Sequence, residues 1–231
     1  MAMERGPRPC SSGRGDMTLV DGQRTDLVSV YDQLATSYDV LHQRWLRYAG
    51  GEAQAALEAA VRAVLRSDDK VLDVGCGTGA FARRLLAEGL LPENLTLVDP
   101  SNRMLQCCDD IPCLKTNGRL EQLPFANAEF DVVTCAWAIE TVADPSLAIA
   151  ELCRTTREGG TVCLAFCAER PSRGLADWIL KRRLIWRGTG RFLSVDAISS
   201  QIEANGEFSV QIVPLTGPAS MIVARRMTSC I

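Results

Sequence analysis

Val71-Leu72-Asp73-Val74-Gly75-Cys76-Gly77-Thr78-Gly79 is the stretch on which the fold turns. A short β-type run passes directly into three alternate glycines, and a helical pattern opens at Ala80. Glycines at this spacing let the chain turn tightly and let a ligand approach the main chain with no Cβ in the way, beside the free N–H groups of a helix N-terminus. The junction therefore suits an adenosine-bearing ligand. Gly75-x-Gly77-x-x-Ala80 also satisfies the dinucleotide fingerprint, with Asp99 at the end of the next strand placed for ribose hydroxyls, so the glycines alone leave the ligand open.

Outward from this stretch, β-rich runs alternate with helical ones, the pattern of βαβ units and a parallel sheet. Strands are expected at Val71–Val74, Leu95–Val98, Cys113–Lys115, Phe130–Ala136 and Thr161–Phe166, with helices near Ala80–Glu88, Arg103–Cys108 and Ser146–Thr155. Asp144 suits an N-cap, Pro145 the first helical position, and Gly159-Gly160 the end of the connection that follows. After a helix over Val195–Ala204, the runs Phe208–Val213 and Ser220–Ala224 flank Leu215-Thr216-Gly217-Pro218, short enough for a hairpin, which makes those two strands antiparallel. Upstream, Leu27–Tyr48 has helical spacing, and Ala56, Leu57, Ala60, Val61, Val64 and Leu65 make one apolar stripe over Gln54–Leu65. Residues 27–66 thus read as a helical cap on a domain spanning 27–231, and residues 1–26 read as a disordered tail on composition.

Composition narrows the function. There is no run near the ~18 apolar residues of a transmembrane helix, and residues 1–26 hold no apolar signal core. A soluble, cytoplasmic protein is expected, its ten cysteines reduced. With 25 Lys+Arg against 28 Asp+Glu there is no global basic field, and no nucleic-acid partner is expected. A single histidine, His42, excludes a multi-histidine zinc centre. Cys107, Cys108 and Cys113 suggest soft-metal binding, but without a histidine a packing role is favoured and no metal is expected. The stretch from Ser172 to Arg191, with Trp178, Lys181-Arg182-Arg183 and Trp186, suits an anionic surface or charged substrate, or a helix that lids the pocket with its charges in solvent, which is the favoured reading.

Several further motifs stand in order: Val98-Asp99-Pro100-Ser101 with Met104-Leu105, Leu123-Pro124-Phe125 with Phe130-Asp131, and Val142-Ala143-Asp144-Pro145. With the glycine stretch, they make the sequence resemble the class I S-adenosylmethionine-dependent methyltransferases, especially the subgroup similar to the ubiquinone/menaquinone-biosynthesis methyltransferases. The resemblance covers roughly Val30 to Arg225. It implies a Rossmann-like three-layer sandwich with a mostly parallel seven-stranded sheet whose last strand is antiparallel.

The resemblance also implies roles. Asp73 lies near the methionine portion of the cofactor, and Asp99 takes the ribose hydroxyls with its two acceptor oxygens. Gly75, Gly77 and Gly79 let the backbone lie against the cofactor, and Pro100 and Met104 form an apolar bed for adenine. Leu120 and Cys135 are counted with these cofactor residues, although for Cys135, on the fourth strand, a core role is the favoured reading. Tyr38, in Tyr31-Asp32-Gln33-Leu34-Ala35-Thr36-Ser37-Tyr38-Asp39, matches a tyrosine that closes over the cofactor. The sequence departs from the family at Arg119-Leu120-Glu121, where an acidic residue usually stands in place of Arg119, and at Glu140-Thr141, where histidines are often found. Glu140 is then the one ionisable candidate there for a catalytic base, with Tyr38 and Trp137 shaping the pocket. The acceptor is expected to be a small apolar or amphipathic molecule. A non-catalytic S-adenosylmethionine-binding protein and a dinucleotide-dependent oxidoreductase are the rival readings.

Overall fold

A computed structural model describes residues 27–169 and 191–228. The expectations for the tail 1–26 and for the basic-aromatic stretch up to residue 190 lie outside these residues. The strands are β1 (Val71–Val74), β2 (Leu95–Asp99), β3 (Leu114–Asn117), β4 (Phe130–Ala136), β5 (Thr156–Cys167), β6 (Phe208–Val213) and β7 (Ala219–Arg226). The helices are α1 (Leu27–Leu34), α2 (Tyr38–Trp45), α3 (Gly51–Val64), α4 (Ala80–Ala87), α5 (Asn102–Gln106), α6 (Pro145–Thr155) and α7 (Val195–Ala204).

All seven strands join one sheet in the order β3-β2-β1-β4-β5-β7-β6. Strands β1 to β5 pair in parallel, and β7 inserts antiparallel between β5 and β6. Central strands covered on both faces bury every side chain, which is why β1 reads as an unbroken buried run. Val71 packs with Leu57, Val61, Phe81 and Leu85 on the face of α3 and α4. Leu72 and Val74 pack with Ile149, Leu152, Ile198 and Ile202 on the face of α6 and α7. Side chains alternate along a strand, so Asp73 falls on the α3–α4 face with Val71.

Most element ends lie within one or two residues of the sequence expectation, and the two largest departures have physical causes. Strand β5 begins at Thr156, ahead of the glycine pair, because Thr156 pairs with Phe130 before the register jumps to Val132 opposite Thr161. The intervening residues bulge out of the ladder. The expected helix over Leu27–Tyr48 is broken at 35–37, and α2 then runs through a π-helical turn, Leu46–Gly50, straight into α3. Gly50-Gly51 looks like a breaker, yet a Cβ on Gly50 would lie 2.6 Å from Trp45 Nε1 and 3.0 Å from Trp137 Cη2, so the close packing there excludes any larger residue. The expected cap on α6 is present: Ser146 N–H donates to Asp144 Oδ1 at 2.9 Å, with Pro145 first in the helix. Among the described residues no helix is long and apolar enough to cross a membrane.

Candidate functional site

The crossovers leaving β1 and β4 cover opposite faces of the sheet, which opens a crevice beyond the carboxyl ends of these strands. The glycine loop enters it. Gly75 N–H and Cys76 N–H both donate to Val98 O, at 2.8 and 3.1 Å, which fastens the loop to the end of β2. Gly75 sits at φ +71°, and a Cβ there would lie 2.4 Å from Ala138 Cβ. Only glycine lets the loop and the end of β4 approach this closely.

Asp99 closes β2 and accepts Gly77 N–H on Oδ2 and Ser101 N–H on Oδ1, each at 2.9 Å. Burial raises its carboxyl to about 6 in spite of these two bonds, which pull the other way. Asp73 is buried on the same side of the sheet. Its Oδ1 accepts Thr134 Oγ1 at 2.8 Å, its Oδ2 has no partner, and burial raises it to about 6.

The helical segment 27–45 is strapped over these loops by two aspartates. Ser101 Oγ donates to Asp32 Oδ1 and Thr78 Oγ1 to Asp39 Oδ1, each at 2.5 Å. The straps hold Tyr31 and Tyr38 edge to face, ring centroids 6.1 Å apart, and stack His42 on Tyr38 at 5.5 Å. Burial, reinforced by neighbouring acidic groups, pushes both phenols far above their usual range, so they stay neutral.

Two cavities meet at Tyr38, Gly75, Gly77 and Trp137, which line both. The larger takes Asp99, Pro100, Met104 and Leu120 from the sheet side, Leu27, Val28 and Tyr31 from α1, and Val142 from the loop after β4. Arg119 and Glu121, at the family departure, line it as well. The smaller takes Asp73, Gln54, His42 and Arg84. Arg84 pairs with Glu58 at 2.8 Å, while its Nε is buried without a partner. Gln54 accepts the Trp137 Nε1–H at 2.8 Å.

Of the residues singled out in the sequence, Tyr38, Asp73, Gly75, Gly77, Asp99, Pro100, Met104 and Leu120 are brought together on these walls. Gly79, Cys135 and Glu140 line neither cavity. A Cβ on Gly79 would meet Ile111 Cδ1 at 2.6 Å and Cys108 Sγ at 2.9 Å, so this glycine serves packing of the loop on the turn after α5. Cys135 is fully buried in the core beside Leu72 and Val74. Glu140, in the single turn Ile139–Thr141, directs Oε1 to Cys167 N–H at 3.3 Å, and its Oε2 has no partner. Burial raises it to about 7. Its own carbonyl accepts Arg191 N–H at 3.2 Å, and the Arg191 guanidinium donates to Val142 O and Ala143 O. Arg84 and Gln54 were not singled out in the sequence. Arg84 lies one helical turn after Ala80, which also lines the smaller cavity, and Gln54 is a polar residue inside a buried stripe with Ala53, Leu57 and Val61.

Comparison with known proteins agrees with this geometry. Residues 72–164 match the family model described as a methyltransferase domain. The malonyl-[acyl-carrier protein] O-methyltransferase of Erwinia billingiae is 31% identical over 175 residues, covering 72% of this chain and 65% of that protein. The chain therefore spans just under two thirds of that relative's length. The ubiquinone/menaquinone biosynthesis C-methyltransferase of Neisseria meningitidis serogroup C is 26% identical over 203 residues, covering 78% of this chain and 76% of the relative. Among solved structures, an S-adenosylmethionine-dependent methyltransferase from Thermotoga maritima, described as a possible histamine N-methyltransferase, superposes with a TM-score of 0.65 at 21% identity, over 86% of this chain and 99% of that one. Residues 72–164 thus match a methyltransferase domain, and the described sheet has the fold of the S-adenosylmethionine-dependent methyltransferase on which it superposes.

Proposed function

We propose that the protein transfers the methyl group of S-adenosylmethionine to a small apolar or amphipathic acceptor. The observation that carries this reading is the charge layout of the two joined cavities. The smaller offers an unpartnered carboxylate oxygen on Asp73 and an unpartnered guanidinium N–H on Arg84, matching the ammonium and carboxylate of an amino-acid end. The larger offers Asp99. Each of its oxygens already accepts one backbone N–H and keeps one lone pair, so the carboxylate has two acceptor positions for a cis-diol. Pro100, Met104 and Leu120 supply an apolar wall for a planar base. The residues present thus fit the cofactor at its amino-acid, sugar and base portions.

When bound, the cofactor supplies an electrophilic methyl group on a sulfonium. The chain's part is alignment, which contributes ~7–11 kcal/mol when reacting groups are held in register. Tyr31, Tyr38 and Trp137 stay neutral and aromatic, exclude water and present π-faces to cationic charge. Leu27, Val28 and Val142 extend the apolar wall, which supports an apolar or amphipathic acceptor. The two curated relatives are named for a malonyl-carrier ester and for quinone synthesis, acceptors of mixed polarity. Glu140 keeps its candidacy as a base through an ionisation near 7 and a free Oε2, but it reaches an acceptor only if the Ile139–Thr141 turn moves.

Calorimetric titration with S-adenosylmethionine, S-adenosylhomocysteine and NAD(H) tests the reading. Micromolar binding of the first two without NAD(H) is expected, and saturable NAD(H) binding alone would overturn it. Methyl-labelled cofactor incubated with phenolic, quinol and carboxylic acceptors then separates the enzyme from a non-catalytic binder, which would bind the cofactor and transfer no label.

A further inference from the structure

Cys76 stands between Gly75 and Gly77 and lines the smaller cavity. Behind it, just past α5, lies Cys108, fully buried. The two thiols lie close enough to perturb each other's ionisation. They also share one acceptor, the Gly77 carbonyl, 3.7 Å from Cys76 Sγ and 3.4 Å from Cys108 Sγ. Arg83 bridges the two segments that carry them, donating to Thr78 O at 2.7 Å and to Cys107 O at 2.8 Å. Among the described residues no group of three His, Cys, Asp or Glu side chains is arranged to hold a metal ion, which leaves the pair as a dithiol.

We propose that Cys76 and Cys108 form a redox-modification site of the glycine loop: a low-molecular-weight disulfide converts the two thiols into an intramolecular disulfide, and cofactor affinity falls. The proposal rests on the reading that this loop holds the cofactor. The chemistry divides between an accessible and a protected sulfur. Cys76 faces the cavity, whereas Cys108 is sealed behind the loop. Cys76 gives up its proton to water and its sulfur attacks the reagent R–S–S–R, forming Cys76–S–S–R and releasing R–S⁻. Cys108 then loses its proton, attacks Cys76 sulfur and expels the second R–S⁻. Two electrons pass from the thiol pair to the reagent, and two protons leave with the two R–SH products.

A disulfide fixes the two sulfurs ~2 Å apart. The loop gives more readily than the turn after α5, because Gly75, Gly77 and Gly79 are its neighbours and all adopt positive φ. The displacement falls on Gly77, whose N–H orients Asp99.

The test treats the full chain with oxidised glutathione and reads two independent outputs, non-reducing peptide mapping and titration with S-adenosylhomocysteine. The expected result is a Cys76–Cys108 disulfide with at least tenfold weaker binding, both reversed by dithiothreitol. Cys108→Ser should stop at the first step and retain one glutathionyl group on Cys76. Cys76→Ala, compared with itself before and after treatment, should lose no affinity. A disulfide joining other cysteines, or a Cys76–Cys108 disulfide with unchanged binding, overturns the proposal. Absence of binding by the reduced chain would instead overturn the cofactor reading, and the peptide map would still decide whether the pair forms.

Discussion

Replacing Asp99 by Asn changes one oxygen to an amide nitrogen and leaves the shape almost intact. In the native site both oxygens accept a backbone N–H at 2.9 Å, from Gly77 and from Ser101, and burial sets the group at about 6. The amide nitrogen cannot accept, so one of those two N–H groups faces a donor, and a position for a ribose hydroxyl is lost. Hydrogen bonds to a charged group contribute roughly 1.5–3 kcal/mol, so the variant should bind S-adenosylhomocysteine roughly 10- to 150-fold more weakly at pH 8. The same carboxylate predicts a pH dependence. At pH 8 it is ionised, whereas at pH 5 it is about nine-tenths protonated, so native affinity should fall as pH drops through 6 and approach that of the variant. Asp73, also raised to about 6, supplies whatever slope survives in Asp99→Asn. Calorimetry at both pH values, with thermal melting to confirm folding, is the assay. A folded variant whose Kd at pH 8 lies within twofold of native would remove Asp99 from the cofactor site.

Three other perturbations follow from the same geometry. Glu140 is raised to about 7, so the folded chain holds a proton that the unfolded chain has released from about pH 4.5 upward; its contribution to stability is complete below that pH and is lost as pH rises through 7. Glu140→Gln should therefore match native in urea denaturation at pH 4.5 and exceed it at pH 8 by up to roughly 3 kcal/mol, and equal midpoints at pH 8 would show that the carboxyl is not desolvated. Gly75→Ala adds a Cβ 2.4 Å from Ala138 Cβ at φ +71°, whereas Gly89→Ala adds one at φ +103° with no atom within 4 Å. The first should cost on the order of 3 kcal/mol and the second about 1, so equal denaturation midpoints would refute the steric argument. Trp137→Phe deletes the N–H that Gln54 Oε1 accepts at 2.8 Å, in a residue only 6% exposed, and should cost about 1–3 kcal/mol, recovered in part when Gln54→Leu is added.

What the sequence made legible was what is locally determined. The expected bounds of α7 and β6 are those found, because an amphipathic stripe ends at Asn205-Gly206 and a run of β-formers at Pro214; those of β4 are found as well, its run of β-formers being continuous. The start of β5 was not legible, since it depends on Thr156 meeting Phe130 across the sheet, a pairing distant in sequence. The helix through Gly50-Gly51 was not legible in part for the same reason: a Cβ on Gly50 would meet Trp137, far along the chain, as well as the nearby Trp45.

The site divides the same way. Residues on the loop and at strand ends, Asp73, Gly75, Gly77, Asp99 and Pro100, reach the cavities because the strand–loop–helix junction itself aims them there. Cys135 and Glu140 were placed by proximity to a strand end, yet one faces the core and the other turns toward Cys167, and neither direction is written in the residues adjacent to them. Gln54 shows where more could have been read. A polar side chain standing where an apolar stripe needs a hydrophobe carries a desolvation cost that a packed helix does not accept without a partner. Gln54 has two, donating to Glu58 at 2.8 Å and accepting from Trp137, so its place in the stripe with Ala53, Leu57 and Val61 marks the point where α3 stops serving the core and begins to support the wall of the site.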